Sequence, residues 1–224
     1  MTPARVIGVL LLVQMAVGPV VNFALLGPAM SAAPGFLQNA AGHATEVRLA
    51  TLLALVGSAC SVGIALAFLS VLPTHDRSLG SWILVLAVTG LCAAVLEGSA
   101  LRAMLALSEE FVRTGSGDVA AFTPTAVALR AVRHAAHYAL LLLAGAQLVL
   151  LYAGLWHLRL VPRVLAGAGV VAAMLLVGAA VGPLMGGHVV MLLLAPLGLC
   201  QFALAGWLMI RGFASVTRAQ EVHA

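Results

Sequence analysis

Arg163-Val-Leu-Ala-Gly-Ala-Gly-Val-Val-Ala-Ala-Met-Leu-Leu-Val-Gly-Ala-Ala-Val-Gly-Pro-Leu-Met185 carries no charged residue after its first position. A helix rising 1.5 Å per residue needs about 20 apolar residues to cross the roughly 30 Å hydrocarbon core of a bilayer, and this stretch supplies them. Five other stretches read the same way: Arg5 to Leu26, Val47 to Leu72, Trp82 to Leu107, Thr125 to Trp156, and Val189 to Ile210. Over its 224 residues the chain is 63% hydrophobic and 8% charged, with a mean hydropathy of +1.14. A soluble domain is about 25% charged, so a soluble fold is excluded. The expected class is all-α: an integral membrane bundle of six transmembrane helices forming one transmembrane domain over residues 1–224.

The first stretch has the basic-then-apolar order of a secretory signal peptide, but its apolar run is about twice the length of a signal core, so it reads as a retained spanning helix. Two connections are short: Pro73-Thr-His-Asp-Arg-Ser-Leu-Gly80, and His157 to Arg163 with Pro162 placed for a first helical turn. Longer ones, Gly27 to Glu46 and Ser108 to Pro124, fall on the opposite side and read as loops, the second through Gly115-Ser116-Gly117-Asp118. With both termini on one side, that side carries Arg5, Arg77, Arg159, Arg163, Arg211 and Arg218, whereas the other side's loops carry Arg48 and Arg113. Basic residues mark the cytoplasmic face, so both termini are expected inside.

All the basic side chains other than histidine are arginine, and the formal net charge is +4. They form no basic stripe interleaved with aromatics, and nothing points to nucleic acid. The expected partners are the lipid bilayer and, through association of helices, a second copy or a larger membrane complex. Gly178, Gly182 and Gly186 recur every four residues and predict a close helix–helix contact within the chain, in preference to a dimer interface. Pro19, Pro183 and Pro196 are expected to kink their helices.

Only the third and fourth stretches hold charged residues well inside. An ionised group in hydrocarbon costs roughly 3 to 10 kcal/mol or more, so such residues face a protein interior or a water-filled cavity. Arg130, Arg133, His134 and His137 are spaced i, i+3, i+4 and i+7, along one helical face. With the fourth stretch entering at Thr125, Arg130 lies about 8 Å below the surface and His137 about 18 Å; on the third, Arg102 lies about 8 Å and Glu97 about 15 Å below it. Glu97 and His137 are thus expected at matching depths on adjacent helices. The candidate ligand-binding set is Glu97, Arg102, Arg130, Arg133, His134 and His137, and its alternative is a satisfied polar network that locks two helices.

Histidine placement adds a second expectation. His43, His134, His137 and His188 fall on the outer side, whereas His75, His157 and His223 fall on the inner one. Imidazole is the commonest transition-metal ligand, so the outer four are candidates for a metal or haem site, although no HExxH, CxxC or CxxCH motif accompanies them. Gln14, Asn22, Ser58, Ser61 and Gln201 read as interhelical hydrogen-bonding residues. Cys60, Cys92 and Cys200 are intramembrane and odd in number, which argues against a disulfide framework. No nucleophile elbow, P-loop or dinucleotide fingerprint is present.

Several short runs resemble a known family. They are Arg159-Leu-Val-Pro-Arg163, Leu107-Ser-Glu-Glu-Phe111 with Glu97 upstream of it, and Trp207-Leu-Met-Ile-Arg211-Gly-Phe213. In order and spacing across most of the chain they are similar to the bacterial membrane proteins grouped as domain of unknown function 4386. The resemblance implies a six-helix bundle in bacteria, with a histidine near the start of the fourth helix. His-Ala-Ala-His offers both His134 and His137 for that place, and no activity carries over with the resemblance.

The leading functional expectation is a multi-pass protein of the bacterial plasma membrane whose polar pocket in the outer half of the bilayer binds a small molecule or lipid, or serves an accessory subunit role. It is a binding or structural role rather than catalysis. The alternatives are a redox protein holding haem or a transition metal through the outer histidines, a proton-coupled transporter using Glu97, and a hydrolase with a metal-activated water.

Overall fold

The computed structural model describes residues 1–115, 119–188 and 191–214. Ser116, Gly117, Asp118, Arg218 and His223, named above as loop, topology or histidine positions, lie outside the described residues. The α-helices are α1 (Pro3–Pro19), α2 (Phe36–Asn39), α3 (Ala44–Leu69), α4 (Arg77–Arg113), α5 (Val119–His157), α6 (Arg163–Leu184) and α7 (Ala195–Ile210), and no strand occurs among the described residues. Five helical segments are long and apolar enough to span a membrane, and α7, at 16 residues, is a shorter apolar sixth. Large apolar side chains around the outside, such as Leu52, Val85, Val171 and Phe202, are more than half exposed, as lipid-facing residues must be. This is a multi-pass membrane protein.

Helices adjacent in the chain pack against each other, and α7 returns to α1, so α1, α3, α4, α5, α6 and α7 close into a ring. Successive passes run antiparallel, which brings Ala4 and Gly212 together at one end of the bundle. Glycines set the closest approaches, because without a Cβ two backbones can draw near. Gly145 lies where a Cβ would meet Val177 Cγ2 at 2.8 Å, Gly154 abuts the Phe68 ring, and Gly169 abuts the fully buried ring of Tyr152. The stripe expected to pack does not: Gly178 is exposed with no atom within 4 Å of its Cβ position, and Gly186 is equally open. Spacing alone marks a smooth face but not which side of the helix the bundle covers.

The prolines also divide by position. Pro19 ends α1 and leads into a π-helical turn over Val20–Leu25, whereas Pro196 sits in the first turn of α7, where no donor is lost and no kink follows.

The two segments expected to be loops are helical over most of their length. α4 runs past Leu107 to Arg113 and α5 starts at Val119, so these helices have 37 and 39 residues, about 55 and 58 Å, nearly twice a hydrocarbon core. Buried residues on α4 explain the extension: Gly80, Ile83, Ala87, Gly90, Ala94, Glu97, Leu101, Met104, Ser108 and Phe111 follow one another by alternating steps of three and four. That repeat keeps one side of α4 turned toward its neighbours for its whole length. Its far end is closed by the Phe111 and Phe122 rings, edge to face at 5.4 Å.

α6 provides the yardstick for depth, since its 22 residues give about 33 Å, one bilayer core. Gly145 opposes Val177 and Tyr152 opposes Gly169, so the last turn of α6 at Leu184 is level with residues 137–138 of α5. Beyond that level stand the ends of α3, α4 and α5 remote from Ala4 and Gly212, walled by the connector between α1 and α3, itself wound into a second π-helical turn at Gly27–Ser31, α2, and a 3-10 turn at Ala40–His43. The cap has its own apolar cluster, including Leu26, Met30, Phe36, Ala40, Val47, Leu101, Met104 and Leu105. A separate, larger cluster fills the ring below, with Leu11, Phe68, Leu151, Tyr152 and Leu204. The protein is thus built in two tiers.

Candidate functional site

Glu97 occupies a buried position of the α4 repeat at the junction of the two tiers and is 7% exposed. Antiparallel packing brings it to His137 of α5, whose Nδ1 lies 2.9 Å from Glu97 Oε1 in a hydrogen bond. Arg133, one turn outward on α5, places Nε 4.0 Å from the same carboxylate oxygen, beyond hydrogen-bonding reach. That Nε is buried with no hydrogen-bond partner among the described residues. The one carboxylate is therefore used by the imidazole, leaving the Arg133 fork with unused donors.

Arg133, His137, Arg130 and His134 line one cavity of about 570 Å3, closed on the opposite side by Met30 to Gly35 of the connector, with Met104 and Tyr138 between. The i, i+3, i+4, i+7 face of α5 is the reason all four meet there. Arg130 stacks its guanidinium 5.5 Å from the centre of the Phe36 ring, and His134 lies against Tyr138 with ring centres 4.6 Å apart. Neither makes a hydrogen bond or an ion pair among the described residues. Gly35, with φ +128°, turns the connector into α2 directly beside Arg130 Nη2, a conformation that side-chain-bearing residues rarely adopt.

Ser108 holds that connector in place. It is fully buried, accepts the Ala41 N–H at 2.9 Å and donates its hydroxyl to the Leu37 carbonyl at 2.9 Å. Replacing Ser108 by Ala leaves a buried donor and a buried acceptor unpaired and is expected to cost about 1–3 kcal/mol. A fall in thermal stability, with faster proteolysis within residues 32–43, is the measurable result; an unchanged melting profile refutes this role.

Three of the sequence-derived site residues lie elsewhere. Arg102 follows Glu97 by five residues, which turns it about 140° around α4, and it is exposed outside the cavity. His43 pairs with Glu46 at 3.7 Å at the start of α3, and His188 lies in the turn after α6. Among the described residues no three His, Cys, Asp or Glu side chains gather as a metal site, so the expected quartet of His43, His134, His137 and His188 is not assembled. His134 and His137 share the cavity, but the other two are carried by different elements.

Leu184 is level with His137, so Arg130, Arg133 and His134 lie beyond the end of α6. The depth expected from the sequence counts from Thr125, but α5 begins at Val119 and projects beyond its neighbours. Tyr138, Ser108 and the connector backbone carry no charge at neutral pH, so a search for charge in apolar stretches passes over them; the unbroken repeat on α4 past Leu107 is the signal that a cap exists.

A family model described as Domain of unknown function (DUF4386) matches residues 6–212. The chain belongs to this family. As a DUF4386 protein it carries the site within the matched region, including Glu97, Ser108, Arg133 and His137. No curated protein and no solved structure matches the chain.

Proposed function

We propose that this DUF4386 protein is a binding protein of the bacterial plasma membrane, with both termini in the cytoplasm, that holds the anionic group of a small molecule or lipid in the cavity between α5 and the connector. The observation that carries this reading is Arg133, whose buried Nε has no hydrogen-bond partner among the described residues, while Arg130 and His134 stand beside it with no acid paired to them there. A guanidinium fork suits the planar or tetrahedral oxygens of a carboxylate or phosphate, and the burial of Arg133 Nε shields that donor from water. His137 takes the hydrogen bond of Glu97, so the carboxylate offers Arg133 only a longer ion-pair contact at 4.0 Å. Nothing in the cavity is placed as a nucleophile with an adjacent base, which favours binding over catalysis.

The test uses purified protein in lipid nanodiscs, titrated with inorganic phosphate, dodecyl phosphate and dodecanol. Saturable binding of a phosphate compound is expected, weakened at least about tenfold in Arg133→Met, which keeps an apolar stem but loses the charge-assisted hydrogen bonds. Preference for dodecyl phosphate over inorganic phosphate assigns the site to an amphiphile, and the reverse assigns it to a soluble anion. Equal binding by Arg133→Met, or no saturable binding, overturns the proposal.

Counting Arg102, Arg130 and Arg133 with the loops at their end of the bundle narrows the basic bias, which becomes Arg5, Arg77, Arg159, Arg163, Arg211 and Arg218 against Arg48, Arg102, Arg113, Arg130 and Arg133. The inward orientation therefore has its own check. A cysteine placed at Ser78, in a chain whose own cysteines are replaced, is expected to react with an impermeant maleimide only after the cells are opened. Labelling in intact cells reverses the topology.

A further inference from the structure

Far below the cap, three glutamines converge inside the ring. Gln14 of α1, Gln147 of α5 and Gln201 of α7, together with Ser61 of α3, line a cavity of about 300 Å3 whose remaining wall is apolar, with Ile64, Leu141 and Leu176 among its residues. Gln147 is ten residues from His137 on α5, about 15 Å deeper, which sets this cavity near mid-bilayer on the α6 yardstick. Fully buried Leu151 and Tyr152 close the ring on its other side.

The hydrogen bonds fix how the amides point. Gln14 Nε2 donates to the Gly57 carbonyl at 2.9 Å and to Ser61 Oγ at 2.7 Å, and Gln147 Nε2 donates to the Ser61 carbonyl at 3.1 Å. Because a backbone carbonyl only accepts, the nitrogens must be on those sides, and both side-chain carbonyl oxygens are left as acceptors. Gln201 goes further: its amide makes no hydrogen bond among the described residues. Interhelical glue explains Gln14 and Gln147, but it does not explain a third amide carried at the middle of an apolar ring and bonded to nothing there.

We infer that the centre of the ring is a second binding site, for a neutral molecule that presents a hydroxyl or N–H donor to the glutamines and an apolar body to the surrounding leucines. Neutrality follows from the lining, which includes no charged side chain to compensate an ion at that depth. The donor requirement follows from the two unmatched carbonyl oxygens. The volume is at the small end of the range for ligand sites and suits a compact guest. This site is independent of the anion pocket in the cap, from which it differs in level, charge and chemistry.

The experiment titrates nanodisc-embedded protein calorimetrically with 4-butylphenol and with 4-butylanisole, subtracting empty discs. These probes share an apolar body, but only the phenol has an O–H to donate. The phenol is expected to bind saturably and at least about tenfold more tightly than the anisole, because the ether leaves buried acceptors unpaired. In Gln201→Leu, folded as judged by an unchanged melting profile, the preference for the phenol is expected to fall at least about threefold, since one of three amides facing the guest is lost while the Gln14 and Gln147 oxygens remain. Absence of saturable phenol binding, equal affinities in the unaltered protein, or a preference for the phenol that Gln201→Leu leaves unchanged each overturns the inference. The comparison of probes on the unaltered protein decides the matter even if the variant fails to fold.

Discussion

Replacing Glu97 by Ala is expected to destabilise the protein by about 3 kcal/mol, the lower end of the range for breaking a buried ion pair from one side. His137 loses the acceptor at 2.9 Å, and Arg133 loses the carboxylate 4.0 Å from its Nε. The imidazole and the guanidinium keep about a quarter of their side-chain surface exposed, which tempers the loss. A double-mutant cycle separates the pair from simple cavity formation. Glu97→Leu with His137→Leu removes both partners and fills the space, and it is expected to recover most of the stability lost by Glu97→Ala. Denaturation of the unaltered chain, Glu97→Ala, Glu97→Leu, His137→Leu and the double variant in one detergent measures this. If the double variant is no more stable than Glu97→Ala, the carboxylate is not held in place by its partner and the junction of the tiers depends on packing alone.

Gly169→Leu is expected to be as damaging or more so, at about 3 kcal/mol, whereas Gly178→Leu on the same helix is expected to change stability by less than about 0.5 kcal/mol. A side chain at 169 has to enter the space of the Tyr152 ring, which is fully buried and surrounded by the main apolar cluster. Nothing lies within 4 Å of a Cβ at 178, which faces outward. Thermal denaturation of the two variants beside the unaltered chain checks the contrast. Comparable losses from both substitutions would mean that Gly178 contacts another molecule, and negligible losses from both would mean that α5 and α6 are less closely packed than described.

Those glycines also show what can and cannot be read from the chain before its structure is known. Hydrophobic length identified the helices, because satisfying the backbone in lipid leaves few alternatives. It did not identify which side of α6 faces the ring, since an all-round apolar helix has almost no directional signal in its composition. The stripe at 178, 182 and 186 is regular and open, while Gly145, Gly154, Gly167 and Gly169, which lie against Val177, Phe68, Trp156 and Tyr152, share no such period. At the site the reverse holds. Charge is scarce enough in this chain that Glu97 and His137 stood out, and their pairing followed from counting residues along two antiparallel helices. The cap stayed hidden because Ser108 and Glu109 resemble the start of a loop, although Phe111 continues the α4 repeat beyond them. Arg102 was taken with Glu97 on depth alone, without regard to the turn of the helix between them.

The order in which the two tiers can be completed follows from the division of their apolar clusters. The connector over residues 26–43 leaves the ribosome early, between the first and second spans, yet the surfaces it covers, Met104 and Leu105 on α4 and the basic face of α5, are made later. Until α4 and α5 have inserted, Phe36 and Met30 lack the part of their apolar cluster that Leu101, Met104 and Leu105 supply. Assembly of the cavity between α5 and the connector is thus a late event in biogenesis, dependent on membrane insertion yet separate from it, and chains halted before residue 130 would lack the basic wall of that cavity.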